Sequence, residues 1–182
     1  MPHLHTRDGE HDLTASAFIV STSTGEPRIL VHRHKKLGVL LQPGGHVELD
    51  EDPWTAVLRE IREESGFAPE ELEVLQPAER LTALSGAVVH PQPACIDTHP
   101  VGDLDHKHID LVYAFVARLE PAGEPAAGES PDLLWMTVPE LRASTATYAN
   151  VVEIAEFVVD VCLPNWDRVG ARRVTDSHSQ SD

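Results

Sequence analysis

The chain has 182 residues, with 30 Asp and Glu against 14 Lys and Arg and a formal net charge of −16. That length suits one domain with its own core. The acidity argues against a nucleic-acid backbone as the main partner, and no apolar run is long enough to cross a bilayer. The first twelve residues, MPHLHTRDGEHD, lack the apolar stretch of a secretory signal. Cys95 and Cys162 lie far apart and read as small buried apolar residues in a reducing cytoplasm rather than as a disulfide. Residues 1–12 are expected to form an N-terminal segment, 13–163 the domain, and 164–182 a polar tail without periodicity.

In chain order, 13–20 (LTASAFIV) predicts a strand, 21–27 (STSTGEP) a turn, and 28–34 (RILVHRH) a second strand, together a hairpin. A short strand over 39–42 enters Pro43-Gly44-Gly45. Strand material is expected over 72–85 and 87–90, and the strongest strand at 109–119 (IDLVYAFVARL). Residues 120–131 (EPAGEPAAGESP) read as a loop, 133–138 as a strand, 139–143 as a helical turn and 149–163 as an amphipathic helix. Strands interleaved with helices give an α/β protein.

The most informative segment is GHVELDEDPWTAVLREIREESGF, residues 45–67. A helix is predicted from Pro53 to Ser65: Asp52 suits the N-cap, Pro53 the first position and Gly66 the stop. Trp54, Val57, Leu58, Ile61 and Ser65 share an arc that docks on a core. Glu60, Glu63 and Glu64 fall within about 100° of one another. Crowded carboxylates repel, and a hard divalent ion such as Mg²⁺ relieves the repulsion. A charged, solvated helix face with i,i+4 pairs is the plainer alternative.

The spacing decides between the two. Gly45, five residues, Glu51, seven residues, Arg59-Glu60-Ile61, one residue, Glu63-Glu64, one residue, Gly66-Phe67 matches GX5EX7REUXEEXGU at every defined position. The chain therefore resembles a Nudix hydrolase. That resemblance implies a mixed β-sheet sandwiched between α-helices, and hydrolysis of a nucleoside diphosphate linked to another group, such as an NTP, ADP-ribose or a dinucleoside polyphosphate. It implies Mg²⁺ or Mn²⁺ as cofactor and, as in many members, a homodimer. Carried over by position, the Gly45 carbonyl and the Glu63 and Glu64 carboxylates would bind metal. Glu60 would hold a further ion and is the candidate general base. Arg59 would fix a box carboxylate, and Glu51 would support the loop. Retaining the whole box speaks against a nucleotide sensor without turnover.

Histidines form a second pattern. His106, His108 and Asp110 alternate on one face of a strand, His46 follows the double glycine, and His5 and His11 precede the first strand. Singly these are surface imidazoles; four or more of them converging would bind a metal. The layout is similar to that of bacterial isopentenyl-diphosphate isomerase, which shares the Nudix fold, and that resemblance implies that His11, His46, His106 and His108 would hold a transition metal. Gly44 stands where that enzyme needs a cysteine, and His108 where it needs a carboxylate, which argues against isomerase activity. Arg33, Lys35 and Lys36 lie in the densest cationic stretch and are candidates for a distal phosphate, with a solvated hairpin end as the alternative. Trp135 and Tyr113 are the aromatic candidates for stacking on a base.

Overall fold

The computed structural model describes residues 9–101, 106–172 and 174. Among these residues, nine strands form one mixed sheet with helices on both faces. This is the α/β architecture expected from the sequence.

The sheet is built on β1 (His11–Ser21) and β7 (Lys107–Ala117). They pair in parallel from His11↔Lys107 to Ser21↔Ala117. From Ala15 onward β1 is buried on both faces, so its side chains lose the polar alternation of a half-exposed strand. The sheet forks on either side of this pair. Along β1, β4 (Gly44–His46) pairs with Thr14–Ser16, and β2 (Arg28–Arg33) pairs with Val20 and Ser21. Along β7, β6 (Cys95–Pro100) covers the first half, and β5 (Leu72–Gln76) pairs beyond it. Further out, β2 pairs with β3 (Leu40–Leu41) and β8 (Leu133–Met136), and β5 with β9 (Asp167–Gly170).

Residue parity sorts two cores, because side chains alternate across a strand. Ala15, Ala17, Ile19, Tyr113 and Phe115 pack with Trp54, Val57 and Ile61 of α1 (Pro53–Ser65). The Trp54 ring lies 5.5 Å from Tyr113 and 5.7 Å from Phe115, centroid to centroid. Phe18, Val20, Val112, Ala114 and Val116 pack on the other face with Val151 and Ala155 of α3 (Ala149–Phe157) and with Leu141 of α2 (Val138–Ala143).

Helix α1 has the predicted bounds and caps. Asp52 Oδ1 accepts from the Thr55 N–H at 2.8 Å, and Pro53 loses no hydrogen bond at the first position. Gly66 adopts φ +79°, and its N–H donates to the Arg62 carbonyl. Helix α3 continues through a π-type turn over Val158–Cys162 and a last turn over Leu163–Asn165. No helix among the described residues is long and apolar enough to cross a membrane.

Three expectations differ from the structure. Strand after α1 is confined to Leu72–Gln76, and only the isolated bridge Leu84↔Ala87 lies within the rest of 72–90. A further strand on β7 is β6, unread in the sequence because Asp97 and His99 take its inward positions while Ile96 is exposed, the reverse of an apolar-in pattern. Residues 167–170, expected within a tail, form β9, and Ala171 enters the core. A strand of four residues between polar neighbours carries too short a pattern to register. His5 lies outside the described residues.

Gly66→Ala is expected to destabilise the protein by more than the ~1 kcal/mol of a left-handed residue alone, because an added Cβ would stand 2.5 Å from the Gly123 carbonyl oxygen. A urea-denaturation midpoint equal to wild type would contradict this. Cys95 and Cys162 are both free thiols, and burial pushes each up to about 11. Labelling by a thiolate-selective reagent near neutral pH is therefore expected to finish only in denaturant; rapid labelling of native protein would show otherwise.

Candidate functional site

The Gly44–Gly45 strand passes directly against the carboxylate face of α1. A Cβ on Gly45 would stand 2.2 Å from Glu60 Oε1, and one on Gly44 2.8 Å from the Ala15 carbonyl oxygen. Only glycine fits at these two positions, so the backbone meets the helix without an intervening side chain. The Gly44 N–H donates to Glu64 Oε2 at 2.9 Å.

Arg59 joins loop and helix. Its guanidinium donates twice to Glu51, from Nε at 2.9 Å and Nη2 at 3.1 Å. Nη1 donates to Glu60 Oε1 at 2.7 Å and reaches Glu63 Oε2 at 3.4 Å. Nη2 also donates to the His46 carbonyl at 3.0 Å. The planar fork thus fixes two carboxylates and the strand end at once. These bonds raise the already high pKa of Arg59, so the cation is permanent. Arg59 thus pairs with box carboxylates of α1 while Glu51 anchors it from the loop.

Glu60 and Glu64 are buried, whereas the Glu63 side chain is 43 % exposed. Burial raises the pKa of Glu60 against the opposing pull of Arg59. Burial pushes Glu64 up to about 8, although the Gly44 N–H holds it down. Glu129 adds repulsion at both. It comes from the 120–131 loop, which the Ala126 N–H ties to the Glu63 carbonyl at 2.7 Å. Sequence reasoning passed over Glu129 because a loop rich in Pro, Ala and Gly shows no spacing that aims it at α1. His32, on β2, also faces the carboxylate cluster. It lies buried with Nε2 3.5 Å from Glu64 Oε2. Burial, with His34 nearby, lowers it to about 4, so it is a neutral imidazole beside a carboxyl and not an ion-pair partner.

These residues fit a hard divalent ion. The donors are oxygens, from Glu60, Glu63 and Glu64 and the unobstructed backbone at Gly45. Glu51, Glu60 and Glu63 share one guanidinium, which leaves a negative balance that a cation would offset.

The histidines gather elsewhere, on the even-numbered face of β1 and β7. Ligand atoms of Asp12, His46 and His108 all lie within 4.8 Å of one another. His46 Nε2 is 3.6 Å and His106 Nε2 3.7 Å from Asp12 Oδ2. His11 does not join them: strand alternation turns it to the other face, where it is exposed and registered with Lys107. Asp12 takes the place expected for His11. The missed signal was the parallel register of β1 on β7, which sets Asp12 beside His108.

The cationic stretch folds back on itself. Arg33 is exposed and donates to the Gly38 carbonyl at 2.9 Å; Lys35 donates to the Gly128 carbonyl; Lys36 is exposed. Tyr113 is buried under Trp54 and has no face free for a base. Trp135 is half-buried, donating from Nε1 to Glu120 at 2.8 Å.

Comparison with known proteins agrees with this geometry. The chain is 29 % identical over 114 residues to the 8-oxo-dGTP diphosphatase of Escherichia coli K12, covering 63 % of this chain and 70 % of that protein. A NUDIX-family hydrolase from Clostridium perfringens superposes with a TM-score of 0.69 at 29 % identity, covering 82 % of this chain and 97 % of the other. The NUDIX domain of Shewanella oneidensis NrtR, crystallised with ADP ribose, superposes with a TM-score of 0.58 at 15 % identity over 82 % of this chain and 87 % of its own, a likeness of fold alone. The NUDIX domain family matches residues 10–156. With its box complete and the box carboxylates drawn together against a double glycine, the chain belongs to the NUDIX domain family.

Proposed function

We propose that the protein is a Mg²⁺- or Mn²⁺-dependent pyrophosphohydrolase that cleaves a phosphoanhydride bond of a nucleoside diphosphate linked to another moiety. The observation that carries this reading is the burial of Glu60 and Glu64 against Gly44–Gly45, with Arg59 holding Glu60 in place. Surface carboxylates would not carry raised pKa values, and a structural helix face would not bury them.

The divalent ion, when bound, neutralises charge on the non-bridging phosphate oxygens. Glu63, Glu64 and the Gly45 carbonyl are the residues that would hold it. Glu60 takes the proton of a water whose oxygen attacks phosphorus, while the anhydride P–O bond breaks and the leaving phosphate departs with the electron pair. Arg59 keeps the Glu60 carboxylate in one rotamer, so the water is aligned before attack. The exposed Lys36 is assigned to a distal phosphate, and Arg33 and Lys35 join it when substrate draws them from Gly38 and Gly128.

A small nucleotide is the substrate class that fits best. The Escherichia coli relative is named for a deoxynucleoside triphosphate, and the Shewanella domain was crystallised with a nucleotide sugar. The free thiols of Cys95 and Cys162 suit a reducing compartment, and we place the activity in the cytoplasm.

Purified protein with Mg²⁺ or Mn²⁺ is expected to release phosphate or pyrophosphate from at least one member of a panel of nucleoside triphosphates, ADP-ribose and dinucleoside polyphosphates. Chelation should abolish turnover and re-addition restore it. Tight binding of nucleotide with no turnover on any of them would support a sensor instead. Glu64→Gln is expected to lower kcat by roughly 10²–10⁴, and a wild-type rate in that variant would remove Glu64 from the mechanism. Gly45→Ala is expected to lose activity with its circular dichroism unchanged, since the added methyl displaces Glu60; full activity would mean that the close approach is not needed.

A further inference from the structure

We propose that Asp12, His46 and His108 form a second divalent-metal centre, for an ion of the zinc class, on the sheet face away from α1.

The strand registers build this site without the box carboxylates, although His46 is itself the second residue of the box. Thr14 faces His46 on β4 and Asp110 on β7, and Asp110 faces Asp97 on β6. In the next rung Asp12 faces His108, which faces His99. The same face of β1 and β7 is apolar further along, at Phe18, Val20, Val112, Ala114 and Val116. It changes to carboxylates and imidazoles where the sheet forks between β4 and β6.

His46 Nε2 and His106 Nε2 stand 3.6 Å and 3.7 Å from Asp12 Oδ2, near enough for a carboxylate and imidazole nitrogens to meet one ion. His108 Nε2 is sealed from solvent with no hydrogen-bond partner among the described residues. A buried ring nitrogen in that condition costs free energy that a metal ion would offset. The His46 and His108 rings meet edge to face at 4.9 Å. Ligands on a tetrahedral ion at ~2.0–2.1 Å stand roughly 3.4 Å apart, so atoms mutually within 4.8 Å need only a small contraction.

Two imidazoles and one carboxylate favour Zn²⁺ or a neighbouring transition ion over Mg²⁺. Three protein ligands leave a position for a water or a substrate oxygen. His106 is outside the three-atom set but flanks Asp12. His99 is oriented by Asp97, Nδ1 to Oδ1 at 2.7 Å, with its ring 5.5 Å from His108, and so supports the site from outside.

The test separates this centre from the box. Full-length protein carrying Glu60→Gln, Glu63→Gln and Glu64→Gln is stripped with chelator and titrated with Zn²⁺ by calorimetry, and with Co²⁺ by visible absorption. One equivalent should bind, with the intense bands of a four-coordinate Co²⁺ site. In that background His108→Ala and Asp12→Ala should each weaken Zn²⁺ by more than about 10²-fold, whereas Asp97→Asn should cost about 10–100-fold, as an outer residue does. His11→Ala should change nothing. No binding in the triple variant, or equal affinity after His108→Ala, overturns the proposal. Should the ligand variants fail to fold, the zinc-edge X-ray absorption of the loaded triple variant decides: imidazole scattering supports the centre, and an oxygen-only shell overturns it.

Discussion

The geometry of the box depends on one guanidinium. Arg59 touches Glu51 and Glu60, reaches Glu63, and bonds the His46 carbonyl. Without it, two buried carboxyls and a third beside them would repel each other, and the His46 end of β4 would lose its bond to α1. A lysine has no fork with which to make the same set of bonds. The cation therefore fixes distances and leaves the neighbourhood negative, a condition that favours a further cation over a further side chain.

A second constraint is the forking of the sheet. β1 carries β4 on its first half and β2 on its second, and β7 carries β6 and then β5 in the same way. Parity then decides which chemistry each residue joins. Gly45 faces Glu60, while His46, one residue on, belongs with Thr14 and Asp12. Neighbours in sequence thus serve opposite faces, and two polar sites share a three-residue strand without sharing side chains.

The box and its helix were legible because their information is local. Asp52, Pro53 and Gly66 are capping signals that need no partner, and the glutamate spacing follows the helical turn. The central strands were legible for a similar reason, as long apolar runs. What stayed hidden depends on register. Asp12 is unremarkable until β1 lies on β7, and His99 until β6 lies beside His108. Glu129 depends on how a loop without periodic signal crosses α1. His11 was expected from the isomerase-like layout, with a histidine ahead of the first strand, and a one-residue shift along a strand is a change of face.

The parallel pairing of β1 with β7 has a kinetic consequence. Thr14 meets Asp110 across 96 residues of chain, and the pairing of these two central strands closes that long loop. Loop closure of this kind is slow relative to helix formation. Helix α1 lies inside the loop, so its turns can appear early while their cradle does not yet exist. On the ribosome, β2 and β4 can pair with β1 as they emerge, but the edge of β1 that takes β7 stays open until residues 107–117 have emerged. The small residues of β1, Ala15, Ser16 and Ala17, leave that open edge less adhesive than a run of valine and isoleucine would be.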